Sequence, residues 1–227
     1  MLPRPTALTP QQASFANRLF AKQTQFLRSV SDPQQLPNLI HPEIAFVGRS
    51  NVGKSSLINR LCNNNKLVKT SSKPGHTRAL NFFNLANKIT LVDMPGYGFN
   101  SRVEWGDLIL DYLEQREQLK RLFVLLDPVA GCKRWDEQLI DILEDKSVPY
   151  QIIFTKRDRL SDANYATAEA DLRQYLSTRA KPYPFDILAA GKRRKAKSKG
   201  KSDEDTEHDI TRVRWTVLEA AGITPSQ

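Results

Sequence analysis

Eight consecutive residues, Gly48-Arg49-Ser50-Asn51-Val52-Gly53-Lys54-Ser55, restrict what this 227-residue chain can fold into more than any other feature. They read G-x-x-x-x-G-K-S, the pattern of a loop that wraps phosphates. Each fixed letter answers to a physical need. Gly48 and Gly53 permit a backbone path that a Cβ would hinder. That path turns successive N–H groups, and the N-terminus of the next helix, toward anionic oxygens. Lys54 has the reach for β- and γ-phosphates, and the Ser55 hydroxyl suits Mg2+. Arg49, Ser50, Asn51, Val52 and Ser56 complete the phosphate-binding stretch. The motif needs a strand before it and a helix after it. Residues 43–47 are an apolar run suited to a buried parallel strand, and Leu57, Ile58 and Leu61 share one helical face.

The loop alone does not choose a base. Thr155-Lys156-Arg157-Asp158 does, because it follows the apolar run 150–154 and so sits at a strand's C-terminal end, where open α/β sheets bind ligands. The Asp158 carboxylate accepts from two adjacent N–H groups, a pair that guanine offers and adenine lacks. A mismatched base leaves that carboxylate unpaired and is rejected. The alkyl stem of Lys156 can lie over the base. Between the two motifs, residues 88–93 form a strand ending in Asp93, followed by Met94-Pro95-Gly96. Asp93 is placed to hold Mg2+, and the Gly96 N–H to contact a γ-phosphate. Upstream, Lys73-Pro74-Gly75-His76-Thr77-Arg78 is a turn-rich loop. Its Thr77 completes the expected Mg2+ shell with Ser55 and Asp93. Such loops order around γ-phosphate and Mg2+. Lys54, Thr77 and Gly96 are the expected catalytic groups; Gly75, His76, Met94 and Pro95 flank the nucleotide.

These stretches together, with N-F-F-N at 81–84 and Tyr97-Gly98 after D-x-P-G, resemble the EngB-type ribosome-assembly GTPases, in the Era/TrmE-like branch of translation GTPases. The resemblance covers about residues 41–227. It implies a three-layer, Ras-like α/β domain with a mostly parallel sheet. It also implies GTP/GDP as ligand with Mg2+, and the large ribosomal subunit precursor and its rRNA as partners. No DNA partner is expected. Two departures stand out. The family's D-x-R-H-G segment is replaced by Asp127-Pro128-Val129-Ala130-Gly131, and its last guanine-contacting motif by Leu188-Ala189-Ala190, which can act only through the backbone. Residues 212–222 resemble the closing helix of eukaryotic organellar members. Asn51 occupies the position that potassium-dependent relatives use as a cation ligand, so K+ is a further candidate cofactor. Tyr97 stands where Ras-like enzymes carry the water-orienting Gln, which implies weak intrinsic hydrolysis. Rival readings are a P-loop kinase or ATPase, against which Asp158 argues, and a non-hydrolysing RNA-binding scaffold, against which Lys54, Ser55, Thr77 and Asp93 argue.

Composition agrees. Lys and Arg exceed Asp and Glu by 34 to 25, a net charge of +9, which favours an anionic partner such as rRNA. No run approaches the roughly 20 apolar residues of a membrane span. Two cysteines with no C-x-x-C spacing read as free thiols. Residues 1–40 are an N-terminal extension ahead of the GTPase domain at 41–227. Within it, residues 1–31 hold no Asp or Glu but carry Arg4, Arg18, Lys22 and Arg28, and 14–22 can form a basic amphipathic helix. That is the character of a mitochondrial presequence, and it predicts a matrix location; a packing extension in a bacterial cytoplasmic chain is the alternative. Residues 192–209, seven bases in the ten residues 192–201 and then five acids in 203–209, read as a mobile charged insertion. Strands are expected near 43–47, 81–85, 89–93, 121–127, 151–155 and 184–188, and helices beginning near Lys54, Glu104, Arg134, Asp162 and Ile210.

Overall fold

The computed structural model describes residues 7–69, 79–97, 106–191 and 201–225. Its strands are β1 (Thr24–Val30), β2 (Glu43–Gly48), β3 (Leu80–Leu85), β4 (Ile89–Asp93), β5 (Leu119–Leu126), β6 (Tyr150–Phe154) and β7 (Leu188–Ala189). Its helices are α1 (Pro10–Phe20), α2 (Lys54–Leu61), α3 (Gly106–Gln115), α4 (Arg134–Asp145), α5 (Asp162–Ser177) and α6 (Lys201–Ala220). The strands form one sheet in the order β1-β3-β4-β2-β5-β6-β7. Pairings from β4 through β7 are parallel, while β1–β3 and β3–β4 are antiparallel. This is the expected three-layer α/β fold with a mostly parallel sheet.

The period-two alternation of the central strands divides the core. Ile44 and Phe46 of β2, with Phe123, Leu125 and Ile153, face α1, α2 and α6. Ala45 and Val47, with Val92, Val124 and Ile152, face α3, α4 and α5. All six residues of β2 are buried, which accounts for its continuous apolar character. Because β2 lies between β4 and β5, the chain runs from its C-terminal end to one side of the sheet and later returns to the other. That makes the end of β2 a switch point, where α/β sheets hold ligands.

Four expectations change. β1 was not foreseen. Residues 1–31, read as a leader, are built into the domain over their described part. Thr9 and Gln12 cap α1 reciprocally, Ala16, Leu19 and Phe20 enter the core, and β1 pairs along β3. The strand expected at 184–188 shrinks to Leu188–Ala189, since Pro184 has no N–H for a ladder. Helix α6 begins at Lys201, nine residues before the expected Ile210, so 201–209 is helical and not loop; residues 192–200 lie outside the described residues.

Candidate nucleotide-binding site

β2 delivers Gly48 into a tight space. A Cβ there would lie 2.7 Å from Val52 Cγ1 and 3.0 Å from the Leu125 carbonyl. The loop then turns through two left-handed residues, Asn51 at φ 63° and Gly53 at φ 108°. Asn tolerates such a φ better than most residues, and Gly53, as N-cap of α2, has no Cβ to strain. Ser50 and Asn51 are exposed, Val52 is buried under the loop, and Ser56 faces solvent on the first turn of α2. The Val52 N–H donates to the Arg49 carbonyl at 3.0 Å, and the start of α2, whose first N–H groups have no partner within the helix, opens beside the loop, where an anion is favoured.

Lys54 and Asp93 meet beneath this loop. Lys54 Nζ pairs with Asp93 Oδ1, and both side chains are buried. The second oxygen, Asp93 Oδ2, is buried with no hydrogen-bond partner among the described residues. A buried acceptor left unpaired costs free energy, so this oxygen marks a place for a donor or a cation. With Ser55 next to Lys54 on the first turn of α2, the chemistry fits a hard, oxygen-seeking ion such as Mg2+. Among the described residues no cluster of three or more His, Cys, Asp and Glu side chains converges.

The D-x-P-G turn lies directly on the loop. A Cβ on Gly96 would sit 3.2 Å from Ser50 Oγ and 3.3 Å from Ser50 N. The Tyr97 N–H donates to the Gly48 carbonyl at 3.3 Å, and the Ser50 N–H donates to the Tyr97 carbonyl at 3.2 Å. The Tyr97 side chain turns away from the loop. Its hydroxyl donates to Asp136 Oδ1 of α4 at 2.6 Å, in a buried contact. Burial holds this phenol well above its usual pKa, with Asp136 adding to the shift, so it remains a donor.

The Thr155–Asp158 stretch is joined to the same loop. The Thr155 hydroxyl donates to the Val52 carbonyl at 2.7 Å. Lys156 follows in a left-handed turn, φ 51°, and its ammonium bonds Asp127 Oδ2 at 2.8 Å. Arg157 turns inward, against the Tyr165 ring at 4.2 Å and onto Asp162. Asp158 is exposed at the rim. Beside it, β7 ends at Ala189, and Ala190 follows. The Ala190 N–H, expected to face a base carbonyl, donates instead to the Phe154 carbonyl at 2.7 Å. The next donor along is Gly191, whose φ of 148° and closeness to Lys156 N and Arg157 N exclude a side chain.

Thus Gly48 to Ser56, Asp93 to Gly96 and Thr155 to Asp158 converge at the C-terminal ends of adjoining strands, with Leu188–Ala190 alongside. Gly75, His76 and Thr77 lie outside the described residues. Sequence reasoning missed the supports: Asp136 under Tyr97, Asp127 behind Lys156, and Gly191. It also missed Asn59, whose side chain bonds the Val68 N–H at 2.7 Å and its carbonyl at 2.9 Å, fixing the chain after α2. Only Gly191, a glycine directly after a strand end, left a readable signal.

Known proteins share these features. The family profile described as 50S ribosome-binding GTPase matches residues 43–156. The probable GTP-binding protein EngB of Rickettsia bellii is 45% identical over 167 residues, covering 71% of this chain and 78% of that protein. Its counterpart in Rickettsia africae is 42% identical over 176 residues, covering 75% and 82%. Among solved structures, a probable GTP-binding protein EngB superposes with a TM-score of 0.59 at 22% identity, covering 79% of this chain and 98% of that one. Era from Aquifex aeolicus bound to GDP·AlF4− superposes at 0.56 with 19% identity, covering 83% and 58%. At those identities the two structures show a shared fold.

Proposed function

The chain belongs to the EngB family of GTP-binding GTPases, and from that premise we propose a slow, Mg2+-dependent GTPase that assists maturation of the large ribosomal subunit. The observation that carries the nucleotide part of this reading is the bond from the Thr155 hydroxyl to the Val52 carbonyl. It fixes the guanine motif against the phosphate loop, so one ligand spans both. Asp158 accepts the paired N–H groups of guanine, the Lys156 stem covers the base, and Leu188, Ala189 and Ala190 close its far side. Lys54 exchanges Asp93 for the β- and γ-phosphates, while the loop's N–H groups hold their oxygens. Ser55, Asp93 and Thr77 would hold Mg2+, which neutralises charge on the transferring phosphoryl group. The Gly96 N–H, seated beside Ser50, donates to the γ-phosphate. Water attacks in line and gives GDP and phosphate. Tyr97 is committed to Asp136 and offers no amide to orient that water, so the isolated protein turns over slowly.

Two further supports concern the setting. The net charge of +9 favours contact with rRNA phosphates. The acid-free start supports the mitochondrial matrix, although α1 and β1 then remain as folded parts of the imported protein. The bacterial source of its relatives supports a cytoplasmic site instead. A reporter fused behind residues 1–31 separates the two by where it accumulates. The central test is phosphate release with and without purified large subunits. Slow release alone and faster release with particles is the expected result; fast release without any partner, or none in either case, sinks the proposal.

A further inference from the structure

We propose that Asp136, on the first turn of α4, is a positioning residue for γ-phosphate recognition, acting through Tyr97 on Gly96. The inference rests on the GTPase reading above and adds a residue to it. Both carboxylate oxygens of Asp136 are engaged. Oδ2 accepts the Lys133 N–H at 2.8 Å, which fixes the carboxylate to the start of α4. Oδ1 accepts the Tyr97 hydroxyl at 2.6 Å. Asp136 is fully buried and Tyr97 nearly so, so water does not compete for this bond and the charged acceptor strengthens it. Tyr97 is in turn held at its backbone by the Gly48 carbonyl and the Ser50 N–H. It is therefore clamped at one end by the phosphate loop and at the other by α4. Gly96 is the residue immediately before it, pressed on Ser50 so closely that a Cβ would lie 3.2 Å from Ser50 Oγ. Its N–H lies in the Pro95–Gly96 peptide, and Tyr97 acts on it by fixing the next peptide and with it the position of the Gly96 Cα. Releasing the hydroxyl leaves Tyr97 held only at its backbone and lets the turn shift against the loop, and the cost falls on the one phosphate that distinguishes GTP from GDP. Burial pushes the Asp136 carboxyl above its usual pKa, while the hydrogen bonds from Tyr97 and the Lys133 N–H and the charge of Arg49 act in the opposite direction, toward the ionised acceptor.

The test is the ratio of affinities for a non-hydrolysable GTP analogue and for GDP, read on the same preparation so that the folded fraction cancels. In Tyr97→Phe the ratio should fall about tenfold, with the change in the GTP analogue. Asp136→Asn fills the same space with a weaker, neutral acceptor. It should move the ratio the same way, and it carries the test should Tyr97→Phe not fold. Tyr112→Phe is the control. It removes an equally buried hydroxyl–carboxylate bond, to Glu43 at 2.9 Å at the start of β2, the strand end away from the loop. It should cost stability and leave the ratio unchanged. An unchanged ratio in the Tyr97 and Asp136 variants, or an equal fall in the control, overturns the assignment. Failure of the unaltered protein to bind either nucleotide overturns the GTPase reading and this inference with it.

Discussion

Asp158 is the residue on which the proposed base choice turns, and its surroundings make it testable. Arg157 is buried against Tyr165 and Asp162, and Lys156 is tied to Asp127. The backbone of the motif is therefore fixed while Asp158 alone is left at the rim. Asp158→Asn should leave the fold intact and replace an acceptor by a donor toward the guanine amine. Loss of two charge-assisted bonds should weaken GTP binding on the order of a hundredfold. Xanthine nucleotides, with an oxygen at that ring position, should be preferred. A competition titration with GTP and XTP reads this directly, and unchanged GTP affinity would remove Asp158 from the base site. Asn51 makes a second residue-scale case. It is exposed at the loop's tip in a left-handed conformation, where a monovalent cation at its carbonyl oxygen would stand beside the β- and γ-phosphates. Turnover in KCl should exceed that in NaCl at matched ionic strength, and the excess should vanish in Asn51→Ala; equal rates in both salts reject the cation role.

Among the elements, the phosphate-loop helix is supported from behind by parts of the chain that no motif announces. Arg214 of α6 is buried, and it donates to the carbonyls of Leu61 at 3.0 Å and Arg60 at 3.1 Å. Those carbonyls lie at the C-terminal end of α2, where a cation is also favoured by the helix dipole. The same guanidinium reaches Asn17 of α1 at 2.8 Å. One side chain thus joins the first helix, the last helix and α2. Arg214→Ala should cost about 3 kcal/mol, since it strands several buried acceptors. For a chain of this length that lowers the melting temperature by roughly 6–12 °C. Removing residues 1–31 should cost more, because it takes away α1 and β1 and uncovers β3; a truncated chain that melts with the intact one would show that neither is part of the cooperative unit. These supports explain what the sequence could and could not reveal. β2, β4, β5, β6 and α2 were legible because they are buried on both faces or end in motifs whose chemistry needs that context. β1 was not, because five of its seven side chains are exposed and an edge strand with one buried neighbour leaves no alternation. The start of α6 was hidden for a similar reason. A charged run reads as loop, but a helix needs only its buried length, here from Asp209 onward, to carry its first turns. The pairings of Asp136 and Asp127 depend on strands and helices far apart in sequence, and no spacing encodes them.

At the scale of the whole molecule, the site lies along one end of the sheet, with the nucleotide motifs at the C-terminal ends of β2, β4, β6 and β7. The chain as a whole carries an excess positive charge of +9. The proposed partner must therefore sense two things at once, the state of the nucleotide and a field of lysines and arginines. Binding to large-subunit precursors should then be stronger with a GTP analogue than with GDP, because the ligand favours whichever arrangement of the D-x-P-G turn contacts its γ-phosphate. It should also weaken steeply as salt rises, through release of counterions from rRNA phosphates. The charged stretch at 192–201 gives a way to separate the two effects. Removing 192–200, which precedes α6, should lower the salt slope where those bases meet RNA and leave nucleotide affinity as it was. Sedimentation of the tagged protein with isolated particles, at several salt concentrations and in both nucleotide states, measures all of this together. Equal co-migration with GTP analogue and GDP would sever nucleotide state from particle binding. Absence from every large-subunit precursor would leave a GTPase whose target lies elsewhere. A salt slope unaltered by the deletion would move the RNA contact to the folded face of the domain.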